Sequence, residues 1–458
     1  MQSCLLIGTV VFLGGFFFQS ALAQSSAQAR IAVQGGRFVE NGSGKKFSPI
    51  GANYFRLHRN SKKPEGGHGA LCQGAYDPEY IEKMMADLET GGFNTLRVFH
   101  SYLMGDGGIL RTEESEEIAP EYVANLLHLL VTARQHGIRI IFTWDIWLPS
   151  SKWLAKNELP NESLYDISLK SEPGMGANGI RFSLEGMRTR ANSIVQLIEG
   201  IKRNNPNLLS TVLAWELENE IYFRMDQAPF NMGTGSFCFN GRTYFLDSDA
   251  EMQALMDDNI IVWSNLCAGA IRKADPDALV SVGVFSFAAV GRSGPEDLIK
   301  STTQDNRAPA RLKALVRADL DYLDLHLYGW KTHSVSILQS LERDLLSVEW
   351  EELIETTWSA GKPIIAGETG IFATQYLDSA QSGKINHELA AGGYRELVTQ
   401  IKKRGFSGAL YWIYGNPDIT SADAQKDRHP PLEHFPQYGR ILTELPSWNS
   451  ATLRRNPP

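Results

Sequence analysis

The chain has 458 residues, 43% hydrophobic and 21% charged, which is globular material with room for one large domain or two average ones. Its formal net charge of −8 offers no basic footprint, so nucleic acid and acidic membrane surfaces are excluded as expected partners.

Taken in order, the chain opens with an apolar run, Leu5 to Phe18, too short for a bilayer span, followed by Ala21-Leu22-Ala23. That is the pattern of a secretory signal, residues 1–23, cut after Ala23 to release a secreted or periplasmic protein with no remaining membrane attachment. Cleavage removes Cys4 and leaves Cys72, Cys238 and Cys267. Cys267 shares a helical stripe with Met256, Ile260, Trp263 and Ile271 and reads as a buried free thiol. Cys72 and Cys238 fall in loops and are the candidate disulfide pair.

Residues 24–46 form an N-terminal extension with a small hairpin, its turns marked by Gly35-Gly36 and Asn41-Gly42. Residues 47–446 carry eight strand-helix repeats, with the tail 447–458 loosely held. The strands are expected at Phe47 to Phe55, Asn94 to Phe99, Ile138 to Trp144, Val212 to Glu220, Leu279 to Phe285, Tyr322 to Tyr328, Pro363 to Gly370 and Gly408 to Tyr414. Between them lie one-faced apolar stripes such as Ile81, Met84, Met85 and Leu88, which ends at Gly91-Gly92, and a long helical region from Ile337 to Trp358. Eight consecutive repeats imply parallel strands, and eight suggest closure into a (β/α)8 TIM barrel. No glycine-rich phosphate motif follows any strand, which sets aside an open nucleotide-binding sheet.

The segments after strands 2, 3 and 4 are long, whereas the connections from helix back to strand are short. Long loops at the C-terminal ends of barrel strands are where this fold places its site. A barrel brings Arg97, Trp144, Asp145, Asn219, Glu220, His326, Tyr328, Glu368 and Trp412 to one opening. Asn53 and Tyr54, ending strand 1, and Trp330 join them as candidate sugar-binding residues; Trp147, Trp153 and Tyr102 lie in nearby loops, and Gly66 to Gly74 reads as a flexible rim.

Two glutamates facing each other suit glycosidic bond cleavage, in which one carboxyl group protonates the departing oxygen and the other attacks the sugar carbon. Arg97 and Tyr328 would keep Glu368 ionised, while Glu220 would need a drier or more acidic setting that keeps it protonated. Glu216 suits a structural pair with Arg97. The histidines show no H-x-H or H-E-x-x-H spacing, so neither metal nor cofactor is expected.

The Asn-Glu pair ending WELENE, Glu368 in AGETG, Arg97, His326-x-Tyr328 and Trp412 together resemble glycoside hydrolase clan A, closest to the family 5 cellulases and β-mannanases. The resemblance spans Phe47 to Tyr414. It implies that Glu220 is the acid/base, Glu368 the nucleophile, Asn219 a ligand of the sugar 2-hydroxyl, and Trp412 the floor of that subsite. Arg97 and Tyr328 would hold the nucleophile, and His326 would stand near the acid/base. Strand 3 departs from the pattern: family 5 cellulases usually place a histidine where this chain has Trp144-Asp145. The expected protein is a monomeric retaining hydrolase of a β-1,4-mannan or β-1,4-glucan. A transglycosylase, a hydrolase of another glycan (algal or β-1,3), and a barrel that binds glycans without cutting them stay open beside it.

Overall fold

The structure is a computed structural model in which residues 28–61, 63–285, 287–291, 305–329, 348–371 and 387–415 are described. The signal segment, Trp330, the first part of the helical region expected from Ile337, and the tail lie outside them. Eight strands build the central sheet: β1 (Ile50–Tyr54), β2 (Thr95–His100), β3 (Arg139–Trp144), β4 (Val212–Glu216), β5 in two pieces (Val280–Ser281 and Gly283–Phe285), β6 (Leu323–Gly329), β7 (Ile364–Ile371) and β8 (Gly408–Tyr411). All pair in parallel. The first piece of β5 pairs with β4 and the second with β6, so the sheet closes on itself as the expected barrel.

Among the described residues, seven helices form the crossovers: α1 (Pro78–Thr90), α2 (Pro120–Gln135), α3 (Leu184–Asn204), α4 (Asp249–Ala274), α5 (Leu312–Arg317), α6 (Val348–Ser359) and α7 (His387–Lys403). Helix α1 shows how the sequence writes one. Asp77 accepts hydrogen bonds from the backbone N–H groups of Glu79 and Tyr80, and Pro78 stands where no N–H is needed. Ile81, Met84, Met85 and Leu88 then turn their one face into the core.

The barrel wall divides the side chains by parity. Ile141, Ala214, Leu279, Tyr322, Ile365 and Leu410 fill the lower interior, while Tyr54, Val98, Phe142, Trp144, Trp215 and Leu325 pack outward against the helices. The N-terminal hairpin, Ile31–Gln34 with Arg37–Glu40, is more than an appendage. Its Ile31 and Phe38 join the lower interior layer, and Phe38 meets Tyr322 edge-on at 5.3 Å, so the hairpin stops the bottom of the barrel.

Among the described residues, the loops after β1, β3 and β4 carry strands and short helices of their own. The first third of the segment expected as a flexible rim is strand: Gly66, Gly67 and His68 belong to Lys63–His68, which pairs with Leu57–Asn60, and Ala70, Leu71 and Cys72 beyond it are fully buried. Glycine here provides close approach: a Cβ at Gly69 would lie 2.4 Å from that of His58. Phe182, from the loop after β3, packs on Phe223, Phe230, Phe237 and Phe239 of the loop after β4 at 5.5–6.0 Å. The two loops therefore share one small apolar core.

The expected Cys72–Cys238 bridge is corrected, because both thiols are free. Cys72 is buried in the turn after the Leu57–Asn60/Lys63–His68 hairpin, whereas Cys238 faces outward from the separate hairpin of Ser236–Phe239 with Arg242–Phe245. Burial also pushes the Cys72 and Cys267 thiols up to about 12, which removes their reactive thiolate. In the native protein a thiol reagent is therefore expected to label Cys238 alone among these three. Labelling of all three should require denaturant, and a native protein with no reactive thiol would restore the bridge.

Candidate active site

The end of β4 sets the site. The chain leaves the β3–β4 ladder after Glu216 and bonds alternately to both neighbours: Leu217 N–H reaches Ser281 O at 2.8 Å and Asn219 N–H reaches Trp144 O at 2.6 Å. This splayed path lifts Asn219 and Glu220 to the mouth. Gly283 makes it possible, since a Cβ there would lie 1.8 Å from Asn219 O.

Arg97, on β2 and wholly buried, is the hub. Its guanidinium donates to Glu216 Oε2 (2.7 Å), Asn53 Oδ1 (3.0 Å), Glu368 Oε1 (2.9 Å), Thr143 Oγ1 (3.2 Å) and Asn219 Oδ1 (2.7 Å). Burial alone would depress its basicity, but Glu216, Glu368 and Asp324 together hold it firmly charged. The expected Glu216–Arg97 pair is present. Glu218 is likewise buried against Arg181, whose Nη1 reaches both its carboxylate oxygens at 2.9 and 2.7 Å.

Glu368, on β7, accepts a second hydrogen bond at 2.6 Å from Tyr328 on β6. His326 bridges the glutamates: its Nδ1 lies 3.0 Å from Glu220 Oε1 and 3.5 Å from Glu368 Oε2. One oxygen of Glu220 and one of Glu368 stand within 4.8 Å of each other and of that nitrogen. Such a spacing also suits a cation, but only if His326 surrenders its Nδ1 proton. Burial works to remove that proton; Glu368, Asp324 and Glu220 outweigh it and push the imidazole up to about 10.

The contrast between the two glutamates differs from the expected one. The drier group is Glu368, with its side chain 5% exposed against 29% for Glu220. Burial lifts the Glu368 carboxyl above the usual range, while His326, Arg97 and the Tyr328 hydroxyl pull it back toward ionisation. Among the described residues Glu368 accepts from Arg97 and Tyr328, whereas Glu220 faces His326.

Of the other candidates, Asn219 and Trp412 stand at the mouth. Trp412 is half-buried, stacked on Phe55 at 5.5 Å and met edge-on by Phe99 at 5.6 Å. Asn53 joins the cluster as an internal brace: fully buried, it donates to Gly367 O at 2.8 Å and accepts from Arg97. Tyr54 and Trp144 are not brought to the site. Each stands one residue out of phase with an inward neighbour, Asn53 or Thr143, so Tyr54 packs against Tyr80 and Trp144 stacks on His100 at 4.2 Å. Asp145, just past β3, does reach the mouth and pairs with His68 at 2.6 Å.

Several site residues escaped the sequence reading. His68 comes from the inserted hairpin and packs on Phe55 and Phe99 at 5.1 and 4.8 Å, so a histidine does stand at the end of β3, delivered by another element. Nothing in its sequence context signals this. Asp324 and Thr143 were within reach, because strand alternation puts Asp324 on the face of His326 and Tyr328. Arg307, lying over the rings of Tyr222 and Phe285 at 5.7 and 5.1 Å, feels the charge of Glu220 from the far side.

A closed (β/α)8 barrel whose mouth sets two glutamates around an arginine-histidine-tyrosine cluster defines an O-glycosyl hydrolase. Residues 57–416 match the family model described as Cellulase (glycosyl hydrolase family 5). The chain belongs to glycosyl hydrolase family 5. No curated protein sequence matches it. Among solved structures, the endo-β-1,4-mannanase of Thermotoga petrophila is similar at TM-score 0.53 and 15% identity, over 90% of this chain and 79% of that one. The endo-1,4-β-mannanase of Rhizomucor miehei follows at 0.51 and 14%, over 92% and 100%. The exo-β-1,4-mannosidase Op5Man5 of Opitutaceae bacterium strain TAV5 gives 0.51 and 17%, over 90% of this chain and 62% of that one. At these identities the likeness is one of fold.

Proposed function

We propose that this protein is a secreted, retaining β-glycanase that cuts inside a β-1,4-mannan or the related β-1,4-glucan, with Glu220 as acid/base and Glu368 as nucleophile. The observation that carries the reading is the spacing of the two carboxylates, within 4.8 Å, with Arg97 and Tyr328 both committed to Glu368. Inverting enzymes keep their carboxyl groups about 6.5–9.5 Å apart to admit water between them, and retaining ones about 5–5.5 Å. A short gap favours direct attack.

In the first half, a Glu368 oxygen bonds to the anomeric carbon as the glycosidic bond breaks, and Glu220 gives its proton to the departing oxygen. In the second, Glu220 takes a proton from water, the water oxygen bonds to the same carbon, and Glu368 is released. The net change is one water added across one bond. Asn219, held by Arg97, is poised beside the ring for its 2-hydroxyl, and Trp412 offers an apolar face. The built-up loops after β1, β3 and β4 support a groove for a chain, and the mannan-directed names of the similar folds support trying mannan first.

Reducing-sugar release from galactomannan, glucomannan, carboxymethyl-cellulose, β-1,3-glucan and algal galactans tests the substrate. Proton NMR of the first product tests the stereochemistry. The expected result is release from mannan or glucan with the β-anomer formed first. An α-anomer would overturn the double displacement, and activity confined to β-1,3-glucan or galactan would overturn the substrate.

A further inference from the structure

The chemistry above leaves unexplained why another carboxylate is buried directly beneath it. Asp324 is wholly inaccessible on β6, two residues before His326 and on the same face. Its Oδ1 accepts the N–H of Gly367, the residue before Glu368, at 2.5 Å. Its Oδ2 has no hydrogen-bond partner and lies 3.6 Å from His326 Nε2, which has none either. The other ring nitrogen faces Glu220 at 3.0 Å. Backbone has been cleared to admit this carboxylate, since a Cβ at Gly367 would lie 1.9 Å from Asp324 Oδ2.

We propose that Asp324 is a positioning residue for the acid/base: it accepts the Nε2 proton of His326 and so fixes the ring as an imidazolium whose Nδ1–H points at Glu220. The two buried atoms without partners are a donor and an acceptor facing each other. The orientation matters chemically. A bare Nδ1 would draw the Glu220 proton to itself and away from the glycosidic oxygen, whereas an Nδ1–H leaves that proton available and steadies the carboxylate once it is gone.

The groups facing His326 are Glu220 from the end of β4, Glu368 from β7, and Asp324 and Tyr328 from its own strand. Behind Asp324 stand Arg97, with Nε 3.6 Å from Oδ2, and Glu216. Burial, reinforced by Asp324 against the opposing pull of Arg97, pushes Glu216 up to about 8. Asp324 moves the other way: against burial, His326 and Arg97 hold its carboxyl below the usual range.

The test is Asp324→Asn. Asn keeps an oxygen for Gly367 N–H but turns an NH2 toward His326 Nε2, so the ring must offer a lone pair there. With 15N-labelled histidine, and the His326 signals assigned by their loss in His326→Gln, wild type is expected to show both ring nitrogens protonated at pH 7. Asp324→Asn should lose that proton about 1–3 pH units lower. On the cleaved glycan its kcat should fall about 10–100-fold with KM nearly unchanged. A wild-type His326 with bare Nε2 at pH 7 overturns the proposal, and this measurement stands even if the variant fails to fold. A variant that moves neither the titration nor kcat overturns it too. Only the kinetic arm rests on Glu220 being the acid/base; inactivity of wild type on every glycan would count against that reading while the imidazole measurement still decides on Asp324.

Discussion

Glu368→Gln is expected to lower hydrolysis by about 10⁴-fold or more, on every substrate and with every leaving group, because the residual rate then rests on binding alone. The amide is isosteric but cannot form the glycosyl ester. Glu220→Gln should behave differently. On a polysaccharide it should lose about 10²–10⁴-fold, the worth of a positioned proton donor. On a dinitrophenyl glycoside, whose leaving group needs no proton, its first step should survive. The second step still needs a base, so dinitrophenol should appear as a burst followed by a slow phase, and azide, which needs no base, should restore turnover as a glycosyl azide. Stopped-flow release of dinitrophenol with and without azide reads both halves. If Glu368→Gln gives the burst and Glu220→Gln does not, the two roles are reversed. If neither variant is impaired, the carboxylates have been misidentified.

The catalytic pair of that experiment is legible in the sequence alone. Asn219-Glu220 and Glu368 end apolar strands, and an isolated carboxylate in such a place needs a reason. The barrel was legible through its repeats, since each crossover helix carries its own stripe and stop signal. What the sequence hid were matters of phase and of long-range delivery. A strand four to six residues long, apolar on both faces, does not say which parity looks inward. Tyr54 and Trp144 were therefore read toward the sugar when they belong to the helix side, one step from Asn53 and Thr143. His68 lies far in sequence from Asp145 and reaches it only because an inserted hairpin folds back over the mouth. The Cys72–Cys238 pairing failed for a related reason: membership of a loop says nothing about depth, and one thiol is buried while the other faces solvent.

The largest effect on stability is expected at Arg97. Its five side-chain hydrogen bonds tie β2 to groups on or just beyond β1, β3, β4 and β7, and three carboxylates surround it within the barrel. Arg97→Ala would strand Glu216, Asp324 and Glu368 together in a cavity, with His326 the remaining cation among them. Removing one partner from a buried ionic cluster typically costs about 3–5 kcal/mol, a large share of the roughly 5–15 kcal/mol that holds a domain folded. Protein yield should fall sharply, and the urea midpoint of what remains should drop accordingly. Arg97→Lys separates charge from geometry. Lysine restores the cation but has at most three protons on one atom, so it cannot span Glu216, Glu368 and Asn219 from separate nitrogens. This variant should fold with most of the lost stability recovered while kcat falls about 10²-fold, because Glu368 and Asn219 lose their shared anchor and drift from their places. An Arg97→Ala protein as stable as wild type would show that the carboxylates below the site neutralise themselves by taking up protons, and the hub would then serve orientation alone.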